Sequence, residues 1–321
     1  MSKESTREAY GRTLCELGAT NDDIVVVDAD LTSCTMTSYF AKRYPERFFN
    51  AGIGEANMVG MGAGLASTGK TAFVNSFAMF SAGRAYDQVR NSVCYPHLNV
   101  KVVGTHAGLS VGEDGATHQC IEDISLMRTI PGMTVVVPCD AREAAAATAA
   151  ISEYSGPCYL RLGRSPVETV TDSVSDYHFA IGKAVTMRQG SDCTIAAAGL
   201  MVAKSLEAAE MLHHEHGISV RVVDMHTIKP IDRRAILDAA SQTGAIVTAE
   251  EHVTAEEHNI IGGLGSAVGE VLGETCVRVP VVKVGVEDVF GHSGTAEACL
   301  ERYGLTARHV SEAVLQALQI K

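Results

Sequence analysis

Between residues 22 and 162, short apolar runs of strand length alternate with helix-length segments, and that alternation leaves few architectures open. DDIVVVDADL (22–31), RFFNAGI (47–53), KTAFVNSF (70–77), NVKVVGTH (99–106), MTVVVPCD (133–140) and PCYLRL (157–162) are six candidate strands. Helices are expected over 2–19, from Glu55 onward, and over 82–95, 121–130 and 141–152. Continuous rather than alternating apolarity places a strand in a sheet covered on both faces. Strands separated by helices make that sheet parallel. The stretch GRSPVETVTDSVSDY (163–177) interrupts the pattern with a proline and a cluster of Ser, Thr and Asp. It restarts with CTIAAAG (193–199), SVRVVDM (219–225), GAIVTAE (244–250) and PVVKVGV (280–286), and helices are expected over 201–216, 232–243, 262–273 and 306–319. The expected fold class is α/β with two domains, each a mostly parallel sheet flanked by helices: 1–165, a linker over 166–178, and 179–321.

Charge and cysteine usage narrow the partners. A formal net charge of −12 argues against nucleic acid, whose phosphates need a basic surface. An anionic ligand must then meet a local arginine. Arg7 is a candidate, because a cation in the first turn of a helix opposes the helix dipole and calls for an acidic neighbour or an anion; a solvated arginine is the plain alternative. Nine scattered cysteines with no C-x-x-C pair fit a reducing compartment. The N-terminus MSKESTREAY has no signal-peptide core, and no apolar run approaches the ~20 residues of a membrane span. A soluble, cytoplasmic protein with no membrane partner is expected.

Two stretches carry candidate chemistry. NAGIGEANMVGMGAGL (50–65) surrounds one carboxylate, Glu55, with small residues that let a backbone or a flat ligand approach closely. Glu55 is either a proton partner for a bound heterocycle or a helix-start carboxylate on a glycine-rich packing face. THAGLSVGEDGATHQ (105–119) places His106, Glu113, Asp114 and His118 just after an apolar strand, where α/β proteins put reactive groups. No third close ligand completes a zinc spacing, so hydrogen bonding to a polar substrate suits these histidines better than a metal. Phe73, Phe77 and Phe80 are either core or a face for a planar ring. GGLGSAVGE (262–270) lacks dinucleotide spacing and reads as close packing at a helix start; HHEH (213–216) reads as a helix C-terminus, and EEHVTAEEH (250–258) as an acidic surface loop or subunit contact.

Taken together, DADLTS (28–33), RFFNAGIGEANMVGMGAGLA (47–66), SFAMFSAGRAYDQVR (76–90), THAGLSVGEDGATHQCIED (105–123) and LRLGRSP (160–166) resemble, in order, blocks of the thiamine-diphosphate enzymes of the transketolase type, over their pyrimidine-binding and C-terminal domains. The resemblance implies that Glu55 hydrogen-bonds the aminopyrimidine ring of thiamine diphosphate and favours its imino form. It places Phe80, with Phe77, on that ring, and Asp30 and Ile53 near it. His106 and His118 match substrate-facing catalytic histidines and Asp114 an acid reading a sugar hydroxyl. Arg7 and Arg161 match arginines holding a sugar phosphate, with Arg164 as the fallback for Arg161. Cys34 stands where many relatives have serine in the phosphate site, and Ala107 where some have aspartate; both departures leave the sugar open.

The family holds the diphosphate and its Mg²⁺ (or Ca²⁺) through a Gly-Asp-Gly motif followed by an asparagine, and no Gly-Asp-Gly occurs in this sequence. The resemblance therefore implies the B subunit of a split transketolase, active in an α2β2 complex with a diphosphate-binding N-terminal subunit and acting on sugar phosphates, with no metal held by this chain. The β subunit of a 2-oxo-acid dehydrogenase, a deoxyxylulose-phosphate synthase-like enzyme and a non-catalytic regulatory relative are the alternatives.

Overall fold

The computed structural model describes residues 3–253 and 262–321. The first sheet has seven strands, in the order Thr227–Lys229, Thr134–Val136, Cys158–Arg161, Val100–Thr105, Thr71–Phe77, Ile24–Asp28, Phe48–Asn50. The last six of these are the six that the alternation predicts, and all pair in parallel. Every residue of Ile24–Asp28, Thr71–Phe77 and Val100–Thr105 is buried, which is why apolar residues predominate without alternation; of the buried polar side chains among them, Asn75 and Lys101 are hydrogen-bonded within the chain. Helices Thr6–Leu17 and Ala141–Glu153 cover one face; helix Glu55–Ser67 covers the other. Gly62 lets that last helix lie on the sheet, since a Cβ there would stand 2.3 Å from Val74 Cγ1.

The second sheet runs Val281–Val286, Ile246–Val253, Cys193–Ala197, Val220–Asp224, Val185–Arg188. Its first four strands are parallel and coincide with the four expected ones. Val185–Arg188 and Thr227–Lys229 carry no sequence signal, because each is a short antiparallel edge strand, part-exposed along its length or at its end, without an apolar run. Thr227–Lys229 leaves the second half of the chain to pair with Thr134–Val136 of the first sheet. Three further details differ from expectation. Residues 79–94 wind as two π-type turns, Met79–Arg84 and Val89–Cys94, around a short α-turn at Tyr86–Gln88. Ala296–Arg302 is an additional helix. Within 163–177, Val167–Glu168 pairs antiparallel with Lys3–Glu4.

The acidic stretch 250–258 does not begin as a surface loop. Glu250 and Glu251 are buried at the end of strand Ile246–Val253, and Glu250 accepts the Leu264 and Gly265 backbone N–H groups at 2.7 and 2.9 Å. A carboxylate there satisfies orphan donors at the start of helix Leu264–Gly273. Residues 254–258 lie outside the described residues.

Where the two sheets' layers meet, Asp224 is fully buried facing Glu143, and among the described residues the one donor by its carboxylate is the Cys139 thiol, a weak one. Glu143 itself accepts the Cys139 N–H at 2.7 Å and the Tyr177 hydroxyl. Burial, then the Glu143 charge, pushes the Asp224 carboxyl well above the usual carboxylate range. The folded state thus keeps a proton that the unfolded chain releases near pH ~3.9, and this site's contribution to stability falls as pH rises above that value. Asp224→Asn keeps the shape and removes the titration. It is expected to raise stability at pH 8 by on the order of 1 kcal/mol and to flatten the pH dependence of Tm between pH 5 and 8. An unchanged slope in thermal melts would show that Asp224 is not the group responsible.

Candidate functional site

The carboxyl ends of the first sheet's strands converge on one edge, and the candidate residues collect there. Asp28 ends its strand fully buried and ties down the next loop: it accepts the Leu31 N–H at 2.6 Å and the Thr35 and Thr37 hydroxyls at 2.7 and 2.9 Å. Burial raises its pKa while these donors oppose the rise. Beyond it, Asp30 sits in the left-handed region (φ 63°) and accepts the Asn50 amide at 2.9 Å. Ile53 is 82% exposed.

Glu55 is the first residue of its helix and only 2% exposed. Its carboxylate accepts one hydrogen bond from Arg84 Nη1, at 3.0 Å. Arg84 has no signal of its own in the sequence; its guanidinium lies 4.4 Å over the Phe80 ring. The three phenylalanines separate by environment. Phe73 is core against Tyr10, Phe77 stacks on His106 with ring centroids 3.9 Å apart, and half-buried Phe80 keeps one face toward the edge. Phe80 also meets His118 edge-on at 5.2 Å. The face of Phe77 is therefore occupied within the chain, and Phe80 alone of the three offers a ring face beside Glu55.

His106 is buried, in the left-handed region (φ 55°), with its Nδ1 3.0 Å from the Thr105 hydroxyl. That conformation costs roughly 1–3 kcal/mol in a non-glycine residue and recurs at functional sites. Burial, followed by the positive charges of Arg7, Arg164 and His118, lowers its pKa to about 3. His106 is thus a neutral hydrogen-bonding group across the physiological range. His118 has its Nδ1 2.9 Å from the Thr117 hydroxyl, and Asp114 is exposed at the end of the 3-10 turn Leu109–Asp114. That turn is backed by the second sheet's layer: a Cβ on Gly115 would stand 2.4 Å from Ser293 Oγ, and Gln119 donates to the His292 carbonyl at 3.0 Å.

The two arginines of the LRLGRSP block sit in different environments. Arg161 is 6% exposed, with Nε on Asp123 at 2.9 Å and Nη2 on the Glu251 carbonyl at 2.8 Å. Buried Asp123 and Glu251 raise its pKa against burial, and both carboxylates lie within ion-pair distance. A guanidinium so engaged, with its Nε and Nη2 committed within the chain, serves as a junction between layers. Arg164, three residues on, is part-exposed and adjoins Arg7: Arg7 Nε donates to the Arg164 carbonyl at 3.2 Å, and Arg164 pairs with Glu113 at 3.0 Å. Arg7 also donates to the Cys34 carbonyl at 2.7 Å, so Arg7, Arg164 and Cys34 form one corner. Among the described residues no carboxylate pairs with Arg7, and burial lowers its pKa; both leave the guanidinium suited to an external anion.

Comparison with known proteins bears on the whole chain. The model of the transketolase pyrimidine-binding domain matches residues 2–169 and that of the transketolase C-terminal domain residues 182–310. The chain is 46% identical over 313 residues to the putative transketolase C-terminal section of Methanocaldococcus jannaschii, covering 98% of this chain and 96% of that protein. It is 44% identical over 315 residues to the 6-deoxy-6-sulfo-D-fructose transketolase subunit SqwH of a Clostridium species, covering 98% and 95%. Among solved structures, a split-gene transketolase described as an inactive beta4 tetramer superposes with a TM-score of 0.89 at 54% identity over 99% of both chains.

Proposed function

This chain belongs to the transketolase family, and we propose that it is the pyrimidine-side subunit of a two-chain enzyme that moves two-carbon ketol units between phosphorylated sugars with thiamine diphosphate. The observation that carries this reading is the line formed on one sheet edge by Glu55, Phe80, His118, His106 and the Arg7–Arg164 corner. The donor set fits the group: a sequestered carboxylate beside an aromatic ring, with only the half-exposed Arg84 side chain over them, suits a flat aminopyrimidine, and the groove next to it, about 490 Å³ and lined by Phe80, Arg84, Thr117 and Glu122, leaves room for it.

Bound thiamine diphosphate supplies the electron sink that makes a ketose carbon–carbon bond breakable. The chain's own residues do the rest. Glu55 holds a proton between its carboxyl and the ring nitrogen; Phe80 sets the plane of the ring, with Phe77, Asp30 and Ile53 framing it. His106, held neutral, and His118 hydrogen-bond sugar hydroxyls, and Asp114 reads a further one. Arg7 and Arg164 hold the sugar phosphate by charge-assisted hydrogen bonds, flanked by Cys34. The units are 1–165, a linker over 166–178, and 179–321. A partner chain bearing the diphosphate domain holds the diphosphate and its Mg²⁺ (or Ca²⁺) in an α2β2 complex, acting in pentose phosphate chemistry in the cytoplasm. No helix among the described residues is long and apolar enough to cross a membrane.

Co-expression with a chain carrying the Gly-Asp-Gly motif, followed by a screen of ketose-phosphate donors against aldose-phosphate acceptors, tests the reading. Failure of every donor in a complex that forms and binds cofactor counts against it. Within that complex, Arg7→Ala or Arg164→Ala is expected to cost roughly tenfold to a hundredfold in kcat/KM on phosphorylated sugars, the size of one or two charge-assisted hydrogen bonds, and far less on unphosphorylated ones. Equal losses on both substrate types would make these arginines structural.

A further inference from the structure

We propose that Arg84 is a placeholder for the cofactor's pyrimidine ring, seated between Glu55 and Phe80 in the free chain and expelled when the cofactor binds. The inference rests on the reading of Glu55 and Phe80 as the pyrimidine seat. The Arg84 Nη1 donates to Glu55 Oε2 at 3.0 Å while its ζ carbon lies 4.4 Å over the Phe80 ring. A guanidinium is a flat π system with N–H donors along its edge. It therefore offers the same two contacts that an aminopyrimidine makes, a donor edge to a carboxylate and a face to an aromatic ring.

The two occupants exclude each other. Phe80 has one face toward the edge and the Arg84 guanidinium covers it, and the same guanidinium neutralises the Glu55 charge that a proton shared with a ring nitrogen would otherwise meet. Arg84 is also free to leave. Its side chain is 53% exposed although its carboxylate partner is 2% exposed, so its exit needs no repacking of the core. The groove of about 490 Å³ that it borders runs past Met79, Thr117 and Gln119 to Glu122, an acid that can receive the displaced cation. The π-type turn Met79–Arg84 places Arg84 four residues after Phe80, on the same side of the turn, which is why one side chain reaches both groups.

The expected consequence is that Arg84 weakens cofactor binding. In the complex reconstituted with the diphosphate-domain chain, calorimetric titration with thiamine diphosphate and Mg²⁺ should give Arg84→Ala a Kd roughly threefold to tenfold tighter than wild type, the size of one exposed ion pair together with one cation–π contact. Arg84→Lys, which keeps charge but loses the plane, should fall between the two. Glu55→Gln alone should weaken binding, and adding Arg84→Ala to it should recover less than Arg84→Ala gains in the wild-type background, because the ion pair is already broken. If Glu55→Gln weakens binding while Arg84→Ala leaves it unchanged or weaker, the placeholder is overturned and the pyrimidine seat stands. If Glu55→Gln leaves cofactor affinity untouched, the seat itself is wrong and the placeholder falls with it.

Discussion

Glu55→Gln in the assembled complex is expected to slow hydrogen–deuterium exchange at the thiazolium C2 of thiamine diphosphate by about 10²–10⁴-fold, the usual scale of a positioned acid–base group. The substitution keeps the shape and packing of a side chain that is 2% exposed at the head of helix Glu55–Ser67. What it removes is the ability to hold the ring's proton. Complex formation and folding should persist, and cofactor should still bind, more weakly. A carboxylate that served only as a helix-start charge would instead contribute a few tenths to about 1 kcal/mol of stability, and its loss would leave exchange nearly untouched. Exchange followed by NMR with and without the substitution separates these outcomes. A slowing of less than about fivefold, well under the acid–base range, would move the role away from Glu55.

The chain without its partner is expected to show no ketol transfer and no Mg²⁺-dependent binding of thiamine diphosphate at micromolar concentrations. Its own contribution to the cofactor is one carboxylate and one ring face, enough for an affinity on the order of millimolar. The diphosphate brings concentrated negative charge to a chain of net charge −12, and the arginines of the site, Arg7 and Arg164, stand at the other end of the line of residues, beyond His106. Adding the diphosphate-domain chain should restore binding and turnover together. Calorimetry giving micromolar or tighter Mg²⁺-dependent binding to this chain alone would sink the split-site reading.

Apolar runs at Ile24–Asp28, Thr71–Phe77 and Val100–Thr105 make the first sheet legible in the sequence, because a strand buried on both faces has little room for polar residues. The edge strands Val185–Arg188 and Thr227–Lys229 are not legible: each is too short to carry an apolar run, and its pairing is fixed by a neighbour distant in sequence. The site divides along the same physical line. Glu55, His106, His118 and Asp114 are local signals, since each lies in a glycine-rich stretch next to a strand end. Arg84 carries no such signal, and only the turn Met79–Arg84 sets its guanidinium between Glu55 and Phe80.

The two arginines of LRLGRSP show what sequence alone leaves open. Both are basic, three residues apart, and either fits a phosphate-binding block. The sequence by itself determined the family and which strands lie buried on both faces. What sets the two arginines apart is tertiary structure. Arg161 is the last residue of a buried strand, where Asp123 and Glu251, 38 and 90 residues away, engage its Nε and Nη2. Arg164 lies past the strand end, where the chain has emerged at the sheet edge beside Arg7. Three residues of extended chain span about 10 Å, enough to cross from the core to the edge. The partners that claim a buried charge come from elsewhere in the chain, so no local pattern records them.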